Sequence, residues 1–348
     1  ANQVKAYIFG DALDASRTNA FAKLLLTHHI DFYENPKDQT IGNKSYTRGS
    51  SYIVPTDQEN YLMVRSAFEK DITYTDSIFY DASTWSLIHA FNMPHSEIKS
   101  APAIGKKVLE TPSISLNTLK QSNYAYLIDY TDYQVFKTMN QLLSSGIIVK
   151  SAFRPFTLPV NNQNKKFGYG TLIIPVAGQR MDSETLFRTL SAISTTCQIN
   201  IWPVETGFAV DGIDLGSGLA QTIEPVKALM LMGPGVSGYE AGEVWHLLDQ
   251  RINMPITKVD VGNMGNVTWS EYNALVLVNG NYNLDKSTTE KIKNWVQQGG
   301  TLITWKGASE WAVKQGITKQ KLVAPDTAKK DLRIDFKDAA NTEGAKAI

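Results

Sequence analysis

Short apolar runs closed by glycine, proline or small polar residues alternate along the chain with segments whose apolar residues recur three and four positions apart. The densest example is residues 226–260. An apolar strand over 228–232 runs into Gly233-Pro-Gly235-Val-Ser237-Gly238, and a helical pattern follows with Tyr239, Ala241, Val244, Leu247 and Leu248 inward. A second strand over 256–261 then carries acidic Asp260 near its end. Strand, glycine turn, helix and strand in roughly 35 residues is the size of one βαβ unit. A strand apolar on both faces predicts a sheet covered on both sides.

The same order occurs twice before this. Residues 4–9 read as a strand, 16–27 as a helix with Phe21, Leu24 and Leu25 on one face, and 30–33 as a strand. Residues 51–58 form a strand closed by Pro55, and Thr56 with Glu59 predicts a capping box for the helix carrying Tyr61, Leu62 and Phe68. The second round has strands over 124–128 and 147–151 around a helix over 134–143. Residues 171–179 then match 51–58 apart from one inserted residue. Asp182 or Ser183 caps a helix with Leu186, Phe187, Leu190 and Ile193 inward, and a strand over 199–202 follows.

The third round continues past Asp260 with a strand over 274–278, a helix capped by Ser287 and Glu290, a strand over 301–305 and a helix over 308–315. Strand openings at Val4, Tyr124 and Val226 therefore recur with a period of about 100 to 120 residues, too long for a solenoid. The expected fold is α/β: three repeated three-layer units with mainly parallel sheets, flavodoxin- or amidotransferase-like, over residues 1–112, 113–222 and 223–348. Residues 99–119 and 206–225 are the connectors, and the tail from 318 is irregular.

Composition narrows this only a little. With 348 residues, 43% hydrophobic and 20% charged, the chain is an ordinary globular one with room for several cores. A formal net charge of zero gives no general attraction for nucleic acid or an anionic membrane. No apolar run reaches the roughly 20 residues of a membrane-spanning helix. Cys197 is the single cysteine, which excludes an internal disulfide and cysteine metal clusters and reads as a packing residue.

The candidate chemistry centres on the strand ends of the third unit. Gly233-x-Gly235-x-x-Gly238 with Asp260 is a literal dinucleotide fingerprint, in which the turn approaches a pyrophosphate and the acid takes a ribose hydroxyl. An NAD-dependent oxidoreductase using Gly233, Gly235, Gly238 and Asp260 is thus the alternative reading. Against it, Pro234 removes an N–H, Ser237 and Glu240 form a capping box, and Glu240 and Glu243 place negative charge where a phosphate would sit.

Asn279-Gly280 and Trp305-Lys306-Gly307-Ala308 end strands on the same sheet edge, where α/β pockets form. The segment 304–308 resembles the nucleophile elbow of class I glutamine amidotransferase-like domains, with Trp305 in the nucleophile's place, and tryptophan cannot form the covalent intermediate. His246 and Asp249 share a helix face without a third metal ligand nearby, and no His-Glu-x-x-His, Gly-x-Ser-x-Gly or phosphate-binding loop occurs. The candidate pocket is Gly235, Ser237, Glu240, His246, Asn279, Trp305 and Lys306. Trp85 and Trp269 are candidate aromatics for a sugar or peptide.

The strings Tyr80-Asp-Ala-Ser-Thr-Trp85-Ser-Leu, Gly212-Ile-Asp-Leu-Gly-Ser217 and Gly235-Val-Ser-Gly-Tyr-Glu-Ala-Gly-Glu-Val-Trp-His-Leu-Leu-Asp249 resemble the region after the catalytic domain in large, secreted bacterial zinc carboxypeptidase-like proteins. The resemblance covers essentially the whole chain. That family's His-x-x-Glu zinc motif is absent here, so no catalytic or metal residue carries over.

The resemblance implies a non-catalytic C-terminal region whose last unit is class I amidotransferase-like. It implies no cofactor in this chain, and zinc only in the parent's catalytic domain. The implied partners are the peptidase domain of the same polypeptide and a peptide substrate, without nucleic acid, in a secreted or periplasmic setting. The irregular tail, ending in Ile348, adds the expectation of a fragment of a longer chain.

Overall fold

The computed structural model describes residues 4–68 and 86–323. Its strands fall into separate sheets within the stretches 6–98, 125–222 and 228–304, called units one, two and three below.

In unit one the sheet order is Tyr33–Glu34, Tyr52–Pro55, Ala6–Phe9, His95–Ile98, and every neighbouring pair is antiparallel. Helix Ala15–Thr27, N-capped by the Asp14 carboxylate on the Arg17 amide, joins the first two strands in sequence. Unit two repeats this order. Its strands run Trp202–Val204, Ala125–Ile128, Leu172–Pro175, Lys150–Ala152, again all antiparallel, with Ala220–Thr222 added at the edge. Helices Val135–Ser144 and Ser183–Cys197 connect them.

The expectation of mainly parallel sheets is corrected for these two units. In each, the strands flanking the first helix do run parallel, as a βαβ crossover requires, but the third strand returns between them. The result is a split βαβ arrangement with antiparallel neighbours.

Both faces of these sheets are covered, but not by helices on both. Alternate residues Tyr7 and Phe9 pack on the helix side with Phe21, Leu25 and Phe68, while Ala6 and Ile8 pack with Ile53 and Tyr46. Tyr46 belongs to the hairpin of Gln39–Ile41 and Lys44–Tyr46. In unit two, Tyr126 and Ile128 face the helices. Ala125 and Leu127 meet Phe156, Leu158 and Phe167 of a second hairpin, Phe156–Val160 with Gln163–Phe167.

The matching segments 51–58 and 171–179 share one device. Gln58 donates to the Pro55 carbonyl (2.7 Å) and the Asp31 carbonyl (3.0 Å) and accepts from the Asp31 amide (2.8 Å). Gln179 does the same with the Pro175 and Ile148 carbonyls (2.8 and 2.9 Å) and the Ile148 amide (2.9 Å). Each glutamine ties the end of the third strand to the lead-in of the second.

Unit three is the parallel one. Its sheet order is Ile256–Asp260, Ala228–Met232, Ala274–Leu277, Thr301–Thr304, with all pairs parallel. Leu229 and Leu231 face Ile292 and Trp295 of helix Lys286–Gln297 and Trp311 of helix Gly307–Lys314. Ala228 and Met230 face Ala241, Val244 and Leu248 of the helix that begins at Gly238.

Several local expectations change. Thr56 bonds the Val4 and Lys5 carbonyls instead of capping, and the next helix starts at Tyr61. Asp285, not Ser287, caps helix Lys286–Gln297 by accepting from Thr288 N. Tyr239 and Leu247 point outward, not inward. Cys197 is buried against the Gln141 amide oxygen, and burial raises its thiol pKa. Most of the Tyr80 string, including Trp85, and the tail beyond 323 lie outside the described residues.

Candidate functional site

The parallel strands of unit three all point their carboxyl ends at the same edge, which gathers the loops carrying most of the predicted site. Glu240, in the first turn of helix Gly238–Trp245, is the hub. One carboxylate oxygen accepts from Trp305 Nε1 (2.6 Å) and from the Asn279 amide (2.9 Å), and the other accepts from Lys306 Nζ (2.8 Å). Burial would raise the Glu240 pKa, but Lys306, the Asn279 amide and Trp305 together hold it below the usual glutamate value. Glu240 in turn raises the Lys306 pKa, so Lys306 is a paired ammonium and a poor nucleophile.

The glycine turn is bonded into the same assembly. Asn281 N donates to the Gly235 carbonyl (2.8 Å), and Ser237 N donates to the Asn279 carbonyl (2.9 Å). Gly235 needs its positive φ of 87°, and a Cβ there would meet the Asn281 carbonyl oxygen at 2.8 Å. The expected capping box is half formed: Ser237 Oγ accepts from Glu240 N at 3.4 Å, while the Glu240 carboxylate turns to Asn279, Trp305 and Lys306. Asp260 accepts from Gly262 N (2.8 Å), and its carboxylate lies against the Cα of Gly233. With Ser237 N of the turn bonded to the neighbouring loop and Glu240 at the helix start, a pyrophosphate would have to displace an existing bond and meet a carboxylate.

The elbow differs from its expected form in one respect. The strained residue at the sharp strand-to-helix turn is Lys306, at φ 51° and ψ −126°, and not Trp305. The next amide, Gly307 N, donates to Asn279 Oδ1 at 3.1 Å. A turn of this shape stabilises an oxyanion only when that amide is free. The structure thus brings Gly235, Ser237, Glu240, Asn279, Trp305 and Lys306 together. His246 is set apart at the far end of the helix, exposed, where a π-helical segment His246–Arg251 begins. Trp269 packs against Trp295 at 5.5 Å between ring centroids, at the rim of the core.

Two features escaped the sequence reading. Asp14, only 2% exposed, and Asp132 meet where units one and two touch, and Tyr133 N donates to Asp14 at 3.3 Å across that contact. Burial raises the pKa of each to about 6, partly offset by amide donors from Arg17 and Gln134; Asp11 and Asp129 add to the rise at Asp14, and Asp14 and Asp129 to that at Asp132. Aspartates at helix starts read from sequence as solvated caps, so nothing in the pattern marked them. The second feature is a cleft near the same contact, lined in part by Arg251 of unit three.

Among the described residues, no group of three or more His, Cys, Asp or Glu side chains is placed to hold a metal ion, and no helix is long and apolar enough to cross a membrane. The chain matches no family model, no curated protein and no solved structure.

Proposed function

We propose that this chain is a non-catalytic accessory region of a secreted zinc carboxypeptidase-like protein, supporting the peptidase domain or binding its peptide substrate. The observation that carries this reading is the closed elbow of unit three. Lys306 sits on the strained turn as a Glu240-paired ammonium, and Asn279 occupies the amide that would hold an oxyanion. Such an edge keeps the outline of an amidotransferase-like sheet without a nucleophile or a free stabilising donor. What it offers outward is surface: Tyr239 is 90% exposed on the helix that carries Glu240, and Leu247 is 51% exposed on the π-helical segment that follows it. The zinc of this reading belongs to the parent's catalytic domain.

The test is an assay of the purified chain with peptides ending in apolar or basic residues, with added zinc and again with a chelator. No release of the terminal amino acid is expected. Chelator-sensitive release would overturn the accessory reading. The parentage has its own readout in the reading frame encoding the chain, which is expected to carry a His-x-x-Glu domain.

A further inference from the structure

A cleft of about 610 Å³ lies where the three units meet, away from the loops around Glu240. One wall is helix Ala15–Thr27 of unit one, another is the start of helix Val135–Ser144 of unit two, and Arg251 of unit three closes the side. Clefts at such junctions are common ligand sites, because several elements can each supply one contact.

Its charge is one-sided. Lys23 and Arg251 line it, and no carboxylate does. Neither cation has an ion-pair partner among the described residues. The acids nearby are already engaged: Asp14 accepts from the Arg17 and Tyr133 amides, and Asp132 accepts from the Gln134 amide and the Ser16 side chain. Arg251 is held in place by the Tyr133 ring, with its guanidinium carbon 5.3 Å from the ring centroid. A guanidinium fixed in this way, with its N–H fork unused, is suited to a carboxylate or phosphate. The apolar part of the lining comes from Leu24, Phe91 and Ile114.

We infer that this cleft binds a small organic anion, its carboxylate or phosphate on Arg251 and Lys23 and its apolar body against Leu24, Phe91 and Ile114. The site goes beyond the accessory role proposed above and does not depend on it. Three units contribute to it, so occupancy would also clamp them together.

Calorimetric titration of the whole chain with phenylacetate, phenyl phosphate and neutral benzyl alcohol tests the inference. Saturable binding of at least one anion is expected, with none for the alcohol, and the anion that binds identifies the head group. Arg251→Gln is expected to weaken binding by about tenfold or more, and Lys23→Gln by less. Arg251→Lys, which keeps the charge but loses the fork, is expected to fall between wild type and Arg251→Gln. The Lys23 side chain makes no hydrogen bond or ion pair among the described residues, so its variant reads binding even if Arg251→Gln unfolds. Absence of saturable binding by both anions, equal binding of the alcohol, or affinity unchanged in both Gln variants would overturn the inference.

Discussion

Units one and two bury both faces of their central strands with helices on one side and a β-hairpin on the other, whereas unit three uses helices on both sides of a parallel sheet. The packing problem is the same, since strands such as Ala6–Phe9, Ala125–Ile128 and Ala228–Met232 are apolar at almost every position. The difference lies in where the third strand goes. When it inserts between the first two, the helices collect on one face and the other needs a separate cover, which the hairpin supplies. In unit three the third strand returns to the other side of the first, so the strand order reverses at Ala228–Met232; right-handed crossovers on either side of that point put their helices on opposite faces, and no hairpin is needed.

The largest expected effect tests whether the hairpin is a true layer of the core. Phe156 is 1% exposed and stacks on Phe167 at 5.3 Å between centroids. Phe156→Ala should destabilise the protein by about 3 to 5 kcal/mol in chemical denaturation. A cost below about 1 kcal/mol would reduce the hairpin to decoration and undo the contrast with unit three.

A smaller effect sharpens the likeness of the first two units. Gln58→Ala and Gln179→Ala each leave a backbone N–H and two carbonyls without their partner. Each should cost about 1 to 3 kcal/mol, and by similar amounts. Unequal costs would mean the shared geometry conceals different roles.

The smallest effect concerns the contact between the two units. Asp14 and Asp132 have folded pKa values raised from 3.8 to about 6, so their contribution to stability is fully present below pH 3.8 and is lost as pH rises through about 6. Asp132→Asn should therefore match wild type at low pH and exceed it above pH 6, by on the order of 2 kcal/mol at most. Denaturation curves for both proteins across that range check it. A difference that does not change with pH would remove the contact as a titrating one.

The likeness of the two antiparallel units was legible because proline and glutamine recur at nearly fixed positions after an apolar run. Strand direction was not, because a βαβ unit and its split form share the same alternation of elements. The site at the edge of unit three was legible in part. Gly235 announces a positive φ, and the strand ends are readable from hydrophobic runs. The carboxylate of Glu240, however, joins groups 39 to 66 positions away, and no local spacing encodes that. The cleft was invisible for the same reason, since Lys23, Tyr133 and Arg251 come from three units.

A primary amide carries the donor and acceptor of a peptide group, so each of these glutamines serves as a surrogate peptide unit grown from a side chain. Register is then read by the side chain and not by the number of residues in the turn. Gln58 follows Pro55 at three positions and Gln179 follows Pro175 at four, with Gly178 at φ 81° taking up the extra residue. Loop length and strand register are thereby uncoupled, which lets two copies of one architecture diverge in their turns while keeping the same join.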